Sequence, residues 1–256
     1  MAGEAAPATG SEAPVPVGEA GGRAAGPGSL PLYQQITELL IRDIAAGRLM
    51  DGEKLAPERD MAAGLGIAVG TLRQALQSLT EKGLLDRVQG SGNYIRAKAD
   101  AASVYALFRL ERVDGGGLPT AQVISVDRCI KDPALPVFGT HTHAHRIRRL
   151  RFLSGQVAAV EEIWLDAAHA ERITTADLLE SLYLYYRQRL RIWIARAEDR
   201  IGQGHLPDWA PPAFPHAPGA PLPLVTRVSW AQDGQSVEAS RTWYDPDTVR
   251  YVARLK

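Results

Sequence analysis

The chain has 256 residues, of which 45% are hydrophobic and 23% are charged, and its formal net charge is zero. This composition predicts a soluble globular protein of about two domains, and no uninterrupted apolar run reaches the ~18 residues of a membrane span. The neutral balance gives no overall electrostatic indication of nucleic-acid binding, so support for DNA must come from local patterns.

Cysteine and lysine are both scarce. The single cysteine, Cys129, cannot form an intrachain disulfide, which is typical of the reducing cytoplasm. Apart from the C-terminal Lys256, only Lys131 lies in the C-terminal half, so a lysine-dependent cofactor such as pyridoxal phosphate has little to attach to. We therefore expect a cytoplasmic protein without a cofactor.

Residues 1–29 are almost entirely Ala, Gly, Pro, Glu and Ser, with Arg23 as the only basic side chain. Such a segment cannot bury enough surface to order itself, and it lacks the basic start and apolar centre of a secretory signal. We predict a disordered tail.

Two helices are predicted next. The first has an apolar stripe at helical spacing from Leu32 to Ile44 and ends at Gly47. The second follows Pro57, which suits the first helical position, and ends at Gly66.

A third helix is predicted from near Val69 to Gly83, and two short strands follow it. The strands flank a glycine-rich tip at residues 89–92. Three helices and a hairpin are the order of a winged helix, which we place at residues 30–97.

Ala62, Gly66 and Leu72 have the spacing of a helix-turn-helix. The small residue lets two helices cross closely, glycine permits a left-handed turn, and the apolar residue packs the second helix on the first. Such an element presents the start of its second helix to the major groove, although the spacing alone also fits a helix corner inside a core.

Longer motifs extend this pattern: Pro31-Leu32-Tyr33-Gln34-Gln35-Ile36, Pro57-Glu58-Arg59, Thr71-Leu72-Arg73-Gln74-Ala75-Leu76, Gly83-Leu84-Leu85 and Gln89-Gly90-Ser91-Gly92. With them, residues 31–96 resemble the GntR family of bacterial regulators without an evident gap. The resemblance implies a transcription regulator that binds double-stranded DNA at a palindromic operator as a homodimer.

The resemblance also implies individual roles. Arg59 and Arg73 would hold phosphates, Thr71 would touch the backbone or a base edge, and Gly92 would lie at the wing tip in the minor groove. The candidate DNA-binding residues are Arg59, Val69, Gly70, Thr71, Arg73, Ser91 and Gly92. By pattern alone, both arginines fall on polar helix faces, where an ordinary solvated arginine is the alternative.

The chain departs from the family at the start of the recognition helix. Where the family has Ser-Arg, this sequence has Ala68 and Val69, and Ala56-Pro57 replaces the family's Pro-Ser ahead of Glu58 and Arg59. The missing serine would have capped the helix, a loss of ~1 kcal/mol. Valine lacks the guanine-reading fork of arginine and suits thymine methyls better.

The rest of the chain predicts a small polar linker at residues 98–104 and an α+β domain around an antiparallel sheet at residues 105–256. Strands are expected near residues 104–112, 120–128, 144–153, 157–164, 191–198, 222–230 and 236–244. A helix opened by Thr174 or Thr175 is expected at about 176–188. The segment from Gly202 to Pro223 is rich in proline and glycine and does not indicate regular structure.

The strands around Gly155 are predicted to form a hairpin with a three-residue loop, in which paired residue numbers sum to 310. Arg149 then faces Glu161 and Arg151 faces Ala159 on one side, while Arg148, Leu150, Phe152, Val160 and Trp164 lie on the other. Two arginines opposite a glutamate can hold an anionic ligand, but they also fit a cross-strand ion pair facing solvent.

The motifs Arg149-Leu150-Arg151, Glu161, Glu238, Ser240 and Trp243-Tyr244-Asp245 look like the UTRA sensor domain of the HutC subfamily over about residues 105–252. The resemblance implies a chorismate-lyase-like fold and an effector pocket. Its candidate effector-binding residues are Arg149, Arg151, Glu161, Glu238 and Ser240. The Pro-rich region 205–223 departs from the helical segment that is usual there.

Two alternatives to a regulator with an organic effector remain. His141, His143 and His145 recur at period two and could bind zinc or copper, which would make the protein metal-responsive, although a solvated or loop-packed cluster is the simpler interpretation. The lyase-like sheet could belong to an enzyme, but no serine, cysteine or carboxylate pair stands in a catalytic arrangement. We expect a repressor controlled by a small anionic effector, and no enzyme.

Overall fold

The computed structural model describes residues 30–97, 105, 107–178 and 181–254. Within them lie three helices with a hairpin and a larger α+β unit on an antiparallel sheet, as the sequence predicts. The predicted tail and the whole predicted linker, residues 1–29 and 98–104, lie outside the described residues. No helix in the described ranges is both long and apolar enough to cross a membrane.

The N-terminal unit contains α1 (Leu32–Ala45), α2 (Glu58–Leu65), α3 (Val69–Glu81), β1 (Leu85–Val88) and β2 (Gly92–Ile95). The two strands pair antiparallel, with Leu85 opposite Ile95. Pro57 is the N-cap residue that precedes α2, one position earlier than the first helical position that the sequence predicts. Its φ of −52° would suit a helix, but its ψ of 139° is extended.

The helix-turn-helix spacing produces the predicted packing. Ala62 and Leu72 are buried where α2 and α3 cross, with 1% and 0% of their surface exposed. Gly66 ends α2 with a φ of +65°, a left-handed conformation that glycine adopts without steric cost. The turn therefore directs α3 across α2, with one face of α3 in the core and the other exposed.

The described part of the larger unit contains eight strands: β3 (Leu110–Arg112), β4 (Pro119–Ile130), β5 (His143–Leu153), β6 (Gln156–Asp166), β7 (Ile194–His205), β8 (Pro221–Ala231), β9 (Ser236–Tyr244) and β10 (Val249–Tyr251). Six form one antiparallel sheet in the order β4-β5-β6-β9-β8-β7, and β3 pairs with β10. The strand expected over residues 104–112 is thus confined, in the described residues, to its last three positions.

Strand β7 runs further into the glycine- and proline-rich segment than expected, and only residues 206–220 lie outside strands there. Gly204 explains the difference. A Cβ at this position would lie 2.7 Å from Leu224 Cδ2 and 3.0 Å from Trp243 Nε1. The glycine therefore marks a close approach of neighbouring side chains inside a strand rather than its end.

The β5–β6 hairpin confirms the predicted pairing of Arg149 with Glu161 and of Arg151 with Ala159. The predicted three-residue loop is wrong. Leu153 pairs with Gln156 across a two-residue turn, in which Ser154 and Gly155 have φ values of 49° and 81°, as primed hairpin turns require. A β-bulge after Arg151 supplies the extra residue and restores the predicted register.

The continuous helix predicted over residues 176–188 is also wrong. A single turn at Thr175–Asp177 ends where Leu178 adopts extended dihedrals, and α4 (Leu182–Tyr185) then begins from Ser181, whose hydroxyl accepts the Leu184 N–H. A π-helical turn at Tyr186–Leu190 follows. The apolar spacing is present, but two separate caps divide it.

The two faces of the sheet are covered differently. The α4 segment packs on the face of Ile147 and Ile163, whereas the loop 206–220 packs Leu206 and Phe214 on the opposite face, against Leu150 among others. A cavity remains on the first of these faces, between the sheet and the α4 segment. The Pro-rich loop therefore lies behind the sheet and does not cover that cavity.

Candidate DNA-binding surface and effector pocket

Helix α3 has one buried and one exposed face. Leu72, Ala75, Leu76 and Leu79 are fully buried in the N-terminal core. The opposite face, which includes Gly70, Arg73, Gln74, Gln77 and Glu81, is exposed. This is the arrangement that a recognition helix needs, because its inner face anchors it and its outer face can enter a groove.

The two arginines predicted to hold phosphates are both exposed, but their surroundings differ. Arg73 Nε donates a hydrogen bond to Glu58 Oε2 at 2.7 Å, and Arg87 of the wing lies 3.8 Å from the other oxygen of Glu58. Arg59 makes no ion pair with the described part of the chain. Glu58 therefore orients Arg73 and lowers the local net charge.

The start of α3 has no side-chain cap. Ala68 occupies the cap position with extended dihedrals and makes no capping hydrogen bond, as its identity predicts. Val69 is half-buried and packs against the N-terminal core, and Thr71 is also half-buried. Gly70 faces open space, since nothing lies within 4 Å of an added Cβ, so another backbone can approach it closely.

The wing tip is exposed at Ser91 and Gly92. Ser91 Oγ lies 2.6 Å from the Tyr94 hydroxyl, which holds the tip against β2. Gly92 has a φ of +134°, and a Cβ there would lie 3.1 Å from Lys54 Cε. A side chain at this position would be strained and would displace Lys54 from the tip.

A cavity of about 90 Å³ lies against the sheet, several times the ~10–15 Å³ that one water molecule needs. All five residues predicted for the effector pocket line it. The complete lining is Tyr105, Phe108, Arg109, Leu110, Arg149, Arg151, Glu161, Ile163, Ser181, Leu182, Tyr183, Val225, Arg227, Glu238, Ser240, Thr242 and Tyr251. Strand alternation and register place the predicted residues on one face.

Glu161 lies between the two predicted arginines. Arg149 Nη2 is 2.8 Å from Glu161 Oε2, and Arg151 Nε is 3.5 Å from Oε1. Burial alone would raise the pKa of Glu161, but the guanidinium groups of Arg151 and Arg149 hold that pKa below its usual value. The solvent-facing ion pair that the sequence left open is excluded, because all three side chains are buried.

Glu238 has hydroxyl partners instead. It accepts hydrogen bonds from Tyr186 at 2.7 Å, Ser229 at 3.0 Å and Tyr183 at 3.2 Å. Burial raises the pKa of this carboxyl above its usual value. The cavity therefore has an arginine side near Glu161 and a hydroxyl-rich side near Glu238.

Seven polar residues of the described cavity lining were not among those predicted from the sequence: Tyr105, Arg109, Ser181, Tyr183, Arg227, Thr242 and Tyr251. Arg227 is held by Asp199, with Nε 2.5 Å from Oδ1 and Nη2 2.6 Å from Oδ2. It pairs across the sheet with Ser240, so the β8–β9 register was the signal that could have found it. Tyr183 stands close to Tyr185 and Tyr186 in the sequence, an aromatic grouping that is more typical of a core than of a ligand site.

The three predicted metal-ligand candidates do not form one site. His145 is buried and its Nε2 lies 2.8 Å from the Ala170 carbonyl oxygen, whereas His141 Nδ1 accepts the backbone N–H of His143 at 2.9 Å. Within the described ranges, no three His, Cys, Asp or Glu side chains are grouped to hold a metal ion. The geometry gives the metal-responsive alternative no support.

A winged helix-turn-helix followed by a sheet domain with a polar cavity defines the class of transcription regulators that combine a DNA-binding and a sensor domain. Comparison with known families agrees, because the family model for bacterial regulatory proteins of the gntR family matches residues 32–95 and that for the UTRA domain matches residues 114–250. The chain belongs to the GntR family, to its branch with a UTRA domain.

Similar proteins cover almost the whole chain. The HTH-type transcriptional regulator SmoD of Agrobacterium fabrum is 61% identical, over 90% of this chain and 98% of that protein. The HTH-type transcriptional repressor NagR of Bacillus subtilis is 26% identical, over 88% of this chain and 96% of that protein. The protein is accordingly a DNA-binding transcription regulator with a UTRA effector domain.

Solved structures share the fold. YydK of Bacillus subtilis, a possible transcriptional regulator, aligns with a TM-score of 0.50 and 20% identity, over 89% of this chain and 100% of that chain. The ligand-binding domain of a GntR-family regulator from Bordetella bronchiseptica aligns with a TM-score of 0.51 and 20% identity, over 58% of this chain and 96% of that chain.

Proposed function

We propose that the protein is a repressor that binds a palindromic operator as a homodimer and releases it when a small anionic effector fills the sheet cavity. The observation that carries this proposal is the convergence of Arg149, Arg151, Glu161, Glu238 and Ser240 on one buried cavity. Repression is supported by relatives named as repressors, NagR of Bacillus subtilis and MngR of Escherichia coli, both 26% identical.

On the DNA side, Arg59 and Arg73 bind phosphates, and Gly70 and Thr71 approach the edge of the major groove. Ser91 and Gly92 follow the minor groove beside it, and Val69 anchors the start of the recognition helix. The exposed face of α3 and the exposed wing tip support this assignment. Two copies related by a two-fold axis match a palindromic site, since each recognition helix reads one half.

On the effector side, the described lining is rich in arginine. Arg109, Arg149, Arg151 and Arg227 line the cavity with Glu161 and Glu238, and Asp199 pairs with Arg227. Because burial raises the pKa of Glu238, its negative charge is disfavoured, which favours an anionic ligand beside the arginines. The hydroxyls of Ser181, Tyr183 and Ser240 line the same cavity, where a polar group of the ligand can join their hydrogen bonds.

The cavity suits sensing rather than catalysis. Its described lining contains no histidine, lysine or cysteine, the groups most often used as a base or nucleophile near neutral pH. We infer a cytoplasmic regulator without enzymatic activity, with a DNA-binding domain at residues 30–97 and an effector domain from residue 105 onward.

The proposal is tested by a thermal-shift screen of phosphorylated sugars, amino-acid catabolites and other small anions, with the uncharged parent compounds as matched controls. Stabilising anions are then added to a gel shift on the DNA upstream of the protein's own gene. We expect an anion to raise the melting temperature and release the DNA. Stabilisation by the uncharged compounds alone would contradict the anionic effector, and DNA retention would contradict release.

A further inference from the structure

The ring of Phe108 lies between two arginines from different domains. The guanidinium carbon of Arg151, in the effector cavity, is 4.6 Å from the ring centre. The guanidinium carbon of Arg42, on α1 of the DNA-binding domain, is 5.9 Å from the same centre. Both distances fall within the ~6 Å over which a cation is attracted by an aromatic face.

Arg42 is buried beside the Phe108 ring. Its side chain is 2% exposed, and Nε and Nη2 both donate to Asp43 Oδ1, at 3.1 and 2.8 Å. Its Nη1 is buried with no hydrogen-bond partner among the described residues. An incompletely bonded buried cation gains from an adjacent aromatic face, because the ring replaces part of its lost hydration.

Arg151 lies further from Glu161 than Arg149 does. Its Nε is 3.5 Å from the carboxylate, against 2.8 Å for Arg149. An anion in the cavity would offer Arg151 a stronger, charge-assisted partner than a ring provides. Binding would therefore draw this guanidinium away from Phe108.

We propose that Phe108 is a positioning residue that couples the effector cavity to helix α1, an inference that rests on the proposed effector function of that cavity. In the empty cavity, Arg151 and Arg42 share the ring. When an anion binds Arg151, the Phe108 ring loses that contact and can move. Its contact with Arg42 of helix α1 then changes as well.

The surrounding contacts make α1 sensitive to such a change. Leu118, next to β4, is buried in the same core as Ile36 and Leu76 of the DNA-binding domain. The guanidinium of Arg48 packs on Gly116 so closely that a Cβ there would overlap it. The DNA-binding domain thus contacts the loop that follows the cavity-lining residues Phe108, Arg109 and Leu110.

The test is a double-mutant cycle without effector. Arg151→Gln removes the cation and mimics the occupied cavity, so we expect its DNA affinity, measured on the upstream DNA, to fall about threefold to tenfold, the range of one cation–π contact. In the presence of Phe108→Leu, which keeps an apolar side chain but removes the π face, Arg151→Gln should cause no further loss. Arg151→Lys, which retains the cation, should restore the affinity.

Arg148→Gln is the matched control. Arg148 lies on the same strand, pairs with Glu162 and covers the Trp209 ring at 4.9 Å, but on the opposite face of the sheet. We expect it to leave DNA affinity unchanged. Thermal melts identify any variant that fails to fold.

Wild-type affinity for Arg151→Gln would overturn the proposal. So would an equal loss with and without Phe108→Leu, or no recovery with Arg151→Lys. Because no effector is added, these outcomes are independent of the anion screen, which alone decides whether the cavity binds an anion.

Discussion

Arg73 Nε lies 2.7 Å from Glu58 Oε2, and this ion pair joins the recognition helix α3 to the first residue of α2. The Arg73 side chain is 65% exposed and that of Glu58 is 26% exposed. The pair therefore fixes the direction of the arginine while its remaining N–H groups stay accessible. Because Glu58 is acidic, it orients Arg73 but also reduces the positive charge that this surface offers to DNA.

Replacing Arg73 by alanine should weaken binding to all DNA sequences alike, because a phosphate contact carries no sequence information. The slope of log affinity against log salt should fall by about one unit. Gel shifts on specific and unrelated duplexes over a salt series measure both effects. Glu81→Ala, on the same exposed face, is a charge-changing control, and unchanged binding by Arg73→Ala would remove this residue from the interface.

Replacing Glu58 by glutamine should have the opposite effect at low salt. The change removes a negative charge beside Arg73 and Arg87 while retaining hydrogen-bond capacity. We expect tighter but less selective binding, since the two arginines lose their ionic partner, gain phosphate contacts and are oriented less firmly. Weaker binding to every duplex would instead show that orientation by Glu58 dominates.

Replacing Ala68 by serine should stabilise the recognition helix. Ala68 has extended cap dihedrals but no side-chain acceptor, and a serine hydroxyl could accept an N–H of the first turn. The free energy of unfolding of the protein should rise by about 1 kcal/mol, measured by urea denaturation. Ala68→Val, which cannot cap, is the control. Equal stability of the serine and valine variants would contradict the capping argument.

Replacing Arg149 by glutamine should abolish stabilisation by the anion that the screen selects. Its Nη2 makes the shorter of the two contacts with Glu161, and it lines the cavity. Thermal shift and isothermal titration measure the loss. Arg148→Gln, on the opposite sheet face, should still respond. A full response by Arg149→Gln would place the anion elsewhere.

Replacing Glu161 by glutamine should lower the free energy of unfolding by about 3 kcal/mol at pH 7, because two buried arginines lose their carboxylate. The folded protein holds the pKa of Glu161 below its usual value of 4.5, so its stabilising contribution is present above about pH 4.5 and is lost as pH falls through the folded pKa. The difference between wild type and variant should therefore shrink below pH 4.5 in urea titrations. A constant difference across pH would contradict the charge argument.

Local spacing was enough to predict the DNA-binding unit. Ala62, Gly66 and Leu72 specify a helix crossing and a left-handed turn within a few residues, and the structure contains both. The β5–β6 register was predictable for the same reason: a side-chain period of two, with Arg149 opposite Glu161, leaves few alternatives once one face is buried.

Local patterns failed where helix caps or side chains from other strands decide the structure. The apolar spacing over residues 176–188 was correct, yet separate caps divide the segment into short turns. The glycines and prolines from Gly202 to Pro223 gave no sign of regular structure, yet β7 runs to His205, because Gly204 leaves room for Leu224 and Trp243 from other strands. These outcomes depend on contacts that a local window does not contain.

The sequence by itself determined the two kinds of domain, because short-range periodicity decides which face of a strand or helix each side chain occupies. The five residues expected at the cavity were implied by the resemblance to the UTRA domain. Only the tertiary structure placed Arg227 beside Ser240 and set Phe108 between Arg42 and Arg151. Those partners are far apart along the chain. Their proximity follows from strand order and from the docking of one domain on the other, which no local pattern encodes.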